Sequence, residues 1–189
     1  MVTTMKKWLF STKEEGKLRF NTRNIALIAV MTGLIMTLKF ALGAFSGIEV
    51  VTLLVCTYAL FTPLFMSMTT IVSFVLLCAA IYGVGTWWVM YWIIFPTEAL
   101  LTWALKKFLR KNNFIFAVWV GFWGFSMIFW FAAHDAVLFD KSYVIAQMSS
   151  AVFTNSIEAL VNFVMGLLLF YPMQKLFLEK MDYQSRNYW

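Results

Sequence analysis

Beyond residue 23 this chain has no polar stretch long enough to form the surface of a water-soluble domain, and that absence decides what it can fold into. Sixty-two per cent of its 189 residues are hydrophobic and only 13% are charged, with 20 Phe, 12 Met and 9 Trp. A single soluble core of this size cannot hide that much apolar surface, so the solvent is lipid. The expected fold class is an all-α integral membrane protein, a single bundle of about six transmembrane helices with both termini cytoplasmic.

A spanning helix needs about 20 mainly apolar residues, and the punctuation of the sequence gives six candidates: 24–43, 48–64, 67–84, 86–105, 114–133 and 147–171. The domain plan is therefore a cytoplasmic segment over 1–23, a membrane domain over 24–171 and a cytoplasmic tail over 172–189. The net charge of +6 does not point to nucleic acid, because thirteen of the fifteen Lys and Arg residues fall in three clusters flanking apolar spans. These are Lys6 to Arg23, then Lys106, Lys107, Arg110 and Lys111, then Lys175, Lys180 and Arg186. With six crossings all three lie on one face, as the excess of basic residues in cytoplasmic loops requires.

The segment 1–23 precedes the first apolar run without a cleavage pattern, so no signal peptide is expected. Trp8, Leu9 and Phe10 beside Lys6 and Lys7 give it the option of a surface helix or a solvated tail. Cys56 and Cys78 lie in apolar runs without metal-ligand spacing and read as small lipophilic fillers. His134 and Asp135 are expected in an outer loop spanning 134–141, where neighbours in sequence do not face each other reliably. No GxxxxGK[ST] sequence is present, so the chain itself is not expected to hydrolyse ATP.

An ionisable side chain inside a bilayer costs roughly 2.5–3.5 kcal/mol on insertion scales, so each one needs a reason. Lys39, near the outer end of the first span, and Glu49, at the outer start of the second, are separated by a short turn and can pair. Two readings stand for them, a hairpin salt bridge and a ligand-facing role. Asn155, Glu158 and Asn162 recur at spacings of three and four, one polar stripe on the sixth span. Asn155 and Glu158 at that depth suit a pocket open to the outside, the alternative being hydrogen bonding between helices.

Glu98 follows Pro96, where the fourth span can kink, and lies deeper toward the cytoplasm, which favours a structural role. Trp88, Tyr91 and Trp92 share a face at the outer end of that span and can stack on a flat organic ligand, while Trp87 fits an interfacial belt. Ala26, Ala29 and Gly33 form a flat small-residue face on the first span, suited to internal packing or to docking a partner.

Taken together, these features resemble a family. The basic N-terminus, about six spans in 189 residues, the flat face on the first span and the missing ATPase motif are similar to the substrate-binding S components of energy-coupling factor (ECF) transporters. The segments Gly47-Ile48-Glu49-Val50-Val51-Thr52-Leu53-Leu54 and Ile81 to Trp92 resemble stretches of S components from Gram-positive bacteria. The family's AxxxA docking pattern is matched by Ala29 to Gly33, with Gly in place of the second Ala.

The resemblance implies a multi-pass protein of the bacterial plasma membrane that takes a vitamin-type small molecule from outside and carries no cofactor of its own. It then joins a transmembrane coupling subunit and two cytosolic ATPase subunits, which use the ATP. Binding residues are then expected among Lys39, Glu49, Trp88, Tyr91, Trp92, Asn155 and Glu158, and docking residues among Ala26, Ala29 and Gly33. The aromatic outer half leans toward cobalamin, whereas Lys39 suits a carboxylate such as that of pantothenate. A stand-alone carrier or channel, and an intramembrane enzyme using Glu158 or Glu98 with His134, are the competing classes.

Overall fold

The computed structural model describes residues 22–45 and 47–185, with side chains through Phe177. Trp8, Leu9 and Phe10, with the surface helix considered for them, and the last four residues of the tail lie outside the described residues. The described chain is all-helical, with α1 (Thr22–Leu42), α2 (Val51–Phe61), α3 (Leu64–Tyr82), α4 (Thr86–Ala104), α5 (Lys106–Leu109), α6 (Asn113–Leu138) and α7 (Lys141–Ser185). Four of these helices, α1, α3, α6 and α7 as far as Phe177, are long and apolar enough to cross a membrane. At 19 residues α4 matches α3 in length, but Pro96, Glu98 and its Trp and Tyr rings dilute its hydropathy.

Three boundaries differ from those read in the sequence. The second apolar run yields a helix of 11 residues, because residues 48–50 are non-helical and Thr62 is already extended, at φ −114° and ψ 164°. Pro63 imposes that conformation on the residue before it and itself precedes the first turn of α3. The break between the second and third helices is thus Thr62-Pro63, a few residues before the gap left between the spans 48–64 and 67–84.

The loop expected over 134–141 is mostly helix, since α6 runs on to Leu138 and α7 begins at Lys141. Asp140 makes so tight a reversal possible by accepting the Tyr143 backbone N–H at 2.8 Å, which caps the new helix. At the other end α7 continues through Pro172, where the span was expected to stop. Its 45 residues amount to roughly 68 Å of helix, more than twice a hydrocarbon core of about 30 Å.

Every residue of α2 is buried, and the helix divides the interior in two. Leu54, Val55 and Tyr58 pack with Ile35 of α1, Phe74 of α3 and Ile94 of α4. Leu53, Cys56, Leu60 and Phe61 pack with Phe116, Val120 and Trp123 of α6 and Phe170 of α7. The C-terminal end of α2 is held by Arg110, whose Nε donates to the Leu60 carbonyl at 3.0 Å and whose Nη2 donates to the same oxygen. One residue of the basic cluster therefore satisfies an orphan carbonyl at a helix end as well as contributing charge. On the outside, large apolar side chains such as Phe122, Phe153 and Leu168 are exposed, as a lipid-facing surface allows.

The most extensive packing joins α6 and α7, and small residues make it possible. A Cβ on Gly121 would lie 3.1 Å from the Ala159 carbonyl oxygen, and one on Gly166 would lie 3.0 Å from the Ala117 Cα. Such backbone proximity is how helices gain dispersion contacts where lipid supplies no hydrophobic drive. A Cβ on Gly33 of α1, by contrast, would meet nothing within 4 Å. Gly121→Leu is accordingly expected to cost about 2–3 kcal/mol of stability by overpacking, and Gly33→Leu close to none. Unfolding of the two variants in mild detergent checks this, and equal losses would contradict the packing described.

Candidate binding site

The C-terminal end of α1, the segment leading into α2 and the stretch 154–158 of α7 enclose a cavity of about 260 Å³ lined by Lys39, Leu42, Gly43, Phe45, Gly47, Ile48, Glu49, Thr154 and Glu158. Its construction begins at Gly47, which has φ +80° and whose Cβ, if present, would sit 2.9 Å from the Thr154 carbonyl oxygen. Both the positive φ and the close approach to α7 demand glycine. Non-helical residues 48–50 follow and carry Glu49 back toward α1. Irregular backbone at membrane depth is tolerated where protein buries it or where it borders a cavity, and this segment does the latter.

Lys39 is the hub of the cavity's polar groups. Its Nζ donates to Glu49 Oε1 at 2.8 Å and to the Tyr91 hydroxyl at 3.2 Å, and lies 5.4 Å from the centre of the Tyr91 ring. The pair is partly shielded, with side chains 17% and 33% exposed. Tyr91 is fixed in turn by edge-on contacts with Trp87 and Phe95 and by stacking on Phe74. Glu158 enters the same cavity from α7; it is 8% exposed and has no hydrogen-bond or ion-pair partner among the described residues.

Lys39, Glu49, Tyr91 and Glu158 are therefore brought together, but three other residues read as binding candidates are not. Trp88 donates its indole N–H to the Val75 carbonyl at 3.0 Å, and Trp92 packs edge-on against Trp88. Both rings settle against the α1–α4 core and neither lines the cavity, because α3 offers an acceptor and an apolar surface on that side. Asn155 lines a second cavity of about 280 Å³ with Met127, Phe131, Gln147 and Met148 between α6 and α7, and its amide donates to the Ala151 carbonyl. A step of three residues turns a helix side chain by about 60°, enough to place Asn155 and Glu158 in different cavities.

Asn162, the third member of that stripe, is fully buried beside Gly124, with neither side-chain polar atom hydrogen-bonded. Glu98 is also fully buried. Its Oε1 accepts from Cys56 Sγ at 3.1 Å, Cys56 lies 3.3 Å from Thr102 Oγ1, and Trp119 donates to that hydroxyl at 2.8 Å. Cys56 is thus a member of a polar network rather than a filler, while Cys78 is buried in the apolar core. His134 and Asp135, expected in a loop where neighbours in sequence do not face each other reliably, meet at 2.9 Å within the last turns of α6.

The small-residue face of α1 is exposed at Ala26, Ala29 and Gly33, flanked by the exposed side chains of Ile25, Val30 and Leu34. Leu42, Gly43, Phe45, Gly47, Ile48 and Thr154 are the cavity residues that sequence pattern does not single out as binding candidates, since apolar side chains and a threonine in a span, and glycines in a turn, are ordinary in any membrane helix hairpin. Among the described residues no three His, Cys, Asp or Glu side chains gather as metal ligands. Lys39→Met and Glu49→Gln are each expected to cost about 1–2 kcal/mol, with the double variant losing roughly 1 kcal/mol less than the sum. A double-mutant cycle on unfolding in detergent measures this, and strict additivity would mean that the ion pair does not couple the two helices.

No protein-family model, curated protein or solved structure matches the chain.

Proposed function

We propose that this chain is the substrate-binding membrane subunit of an ECF-type uptake transporter in a bacterial plasma membrane, capturing a vitamin-type micronutrient from outside. The observation that carries the reading is the cavity around Lys39, Glu49 and Glu158, a partly enclosed space holding polar groups that lipid would not tolerate. Few convergent polar groups over an otherwise apolar lining are what fix the orientation of a small organic ligand.

With six crossings the cavity lies on the outer side. The 11 residues of α2 span roughly 16 Å, and the non-helical residues 48–50 lengthen that crossing toward the thickness of a bilayer core. Counting α1, α2, α3, α4, α6 and α7 then leaves both termini and the three basic clusters in the cytoplasm, and the Lys39–Glu49 hairpin outside. The exposed face Ala26, Ala29 and Gly33 lies in the cytoplasmic half of α1, where a transmembrane coupling subunit can approach closely. Two cytosolic ATPases would complete the complex and supply the energy, since this chain's chemistry is binding and release.

The cavity volume bears on the cargo. At about 260 Å³ it lies just below the range of small-molecule sites, which favours a compact vitamin over cobalamin. Thermal unfolding of the detergent-purified full chain against a panel of vitamins is the test, because a ligand specific to the folded state raises apparent stability by mass action. One strong hit supports a capture subunit, and Gly33→Leu is then expected to weaken assembly with the coupling subunit at least tenfold while leaving ligand affinity unchanged. Solute flux in liposomes holding this chain alone would instead identify a stand-alone carrier and overturn the proposal.

A further inference from the structure

The polar groups in the cavity are not all partnered. Two carboxyl groups, Glu49 and Glu158, and one ammonium, Lys39, line it. Lys39 already donates to Glu49 at 2.8 Å and to Tyr91 at 3.2 Å, so two of its three donor positions are spent within the protein. Glu158 is left as the surplus acceptor, more than nine-tenths buried and without a hydrogen-bond or ion-pair partner among the described residues. A buried carboxyl group in that position is costly unless something pairs with it.

We propose that the ligand presents a positively charged nitrogen or an N–H donor cluster to Glu158, which makes the cargo a cationic or amine-bearing micronutrient rather than a carboxylate. This rests on the reading of the cavity as the cargo site. A carboxylate ligand would have to compete with Glu49 for Lys39 while lying beside Glu158, two unfavourable terms at once. A cation meets no such competition, since Lys39 and Glu49 stay paired and the cation supplies the partner that Glu158 lacks. Leu42, Phe45 and Ile48 on the same wall supply the apolar surface for the body of such a ligand.

The test uses the full chain in detergent with named probes of each charge type. Thiamine and 7-aminomethyl-7-deazaguanine are the cationic probes, pantothenate and biotin the carboxylates, and riboflavin the uncharged probe. Stabilisation by a cationic probe is expected, with affinity falling at least tenfold in Glu158→Gln, which keeps the shape and removes the charge, and largely retained in Glu158→Asp. Unliganded melting of both variants is recorded to separate folding from binding. If pantothenate, biotin or riboflavin binds instead, the charge assignment is overturned and the capture reading stands. Cation binding indifferent to Glu158→Gln also overturns the assignment, since the ligand then sits elsewhere. Absence of binding by every probe to the folded wild-type chain overturns the assignment together with the cargo-site reading beneath it.

Discussion

In hydrocarbon no water is at hand to satisfy an exposed peptide group, so a helix that ends inside the bilayer must have its end built from protein. The short, wholly buried α2 presents that problem twice. At roughly 16 Å it spans about half of a bilayer core, and everything around it reflects how its two ends are completed. At the C-terminal end Thr62-Pro63 turns the chain and Arg110 closes on the Leu60 carbonyl. At the N-terminal end the chain runs non-helical for three residues from a glycine pressed against α7, and the space beside that segment is the cavity. The candidate site is thus a consequence of α2 being too short.

The same constraint accounts for the two kinds of buried polar group. Lys39, Glu49 and Tyr91 satisfy one another across α1, the segment before α2, and α4, tying three elements together beside the cavity. The Glu98, Cys56, Thr102 and Trp119 set links α4, α2 and α6 in the interior. Glu158 belongs to neither network and lines the cavity without a hydrogen-bond or ion-pair partner among the described residues.

Packing without a hydrophobic drive explains the distribution of glycine. Gly121, Gly124 and Gly166 let α6 and α7 touch backbone to backbone, whereas Gly33 faces outward with nothing near it. Both kinds of position look alike in the sequence, because small residues at helical spacing mark a close contact without saying whether the partner is in the same chain. Only the position of α1 on the outside of the bundle, its small-residue face turned away from α3, distinguishes them.

Composition and the spacing of apolar runs by themselves determined an all-helical chain suited to lipid, the approximate position of each long helix, and the proximity of Lys39 and Glu49. These follow from local rules: a bilayer demands continuous apolar helix, and five intervening turn residues keep two hairpin side chains within reach. The tertiary structure alone decided that Tyr91 turns to Lys39 while Trp88 and Trp92 turn to α3. It also placed Asn155 and Glu158 in separate cavities and brought Gly47 and Thr154 into the wall of one of them. Such choices depend on which neighbour offers a hydrogen-bond acceptor or a matching surface across helices distant in sequence, and side-chain periodicity along one helix carries no record of what stands opposite it.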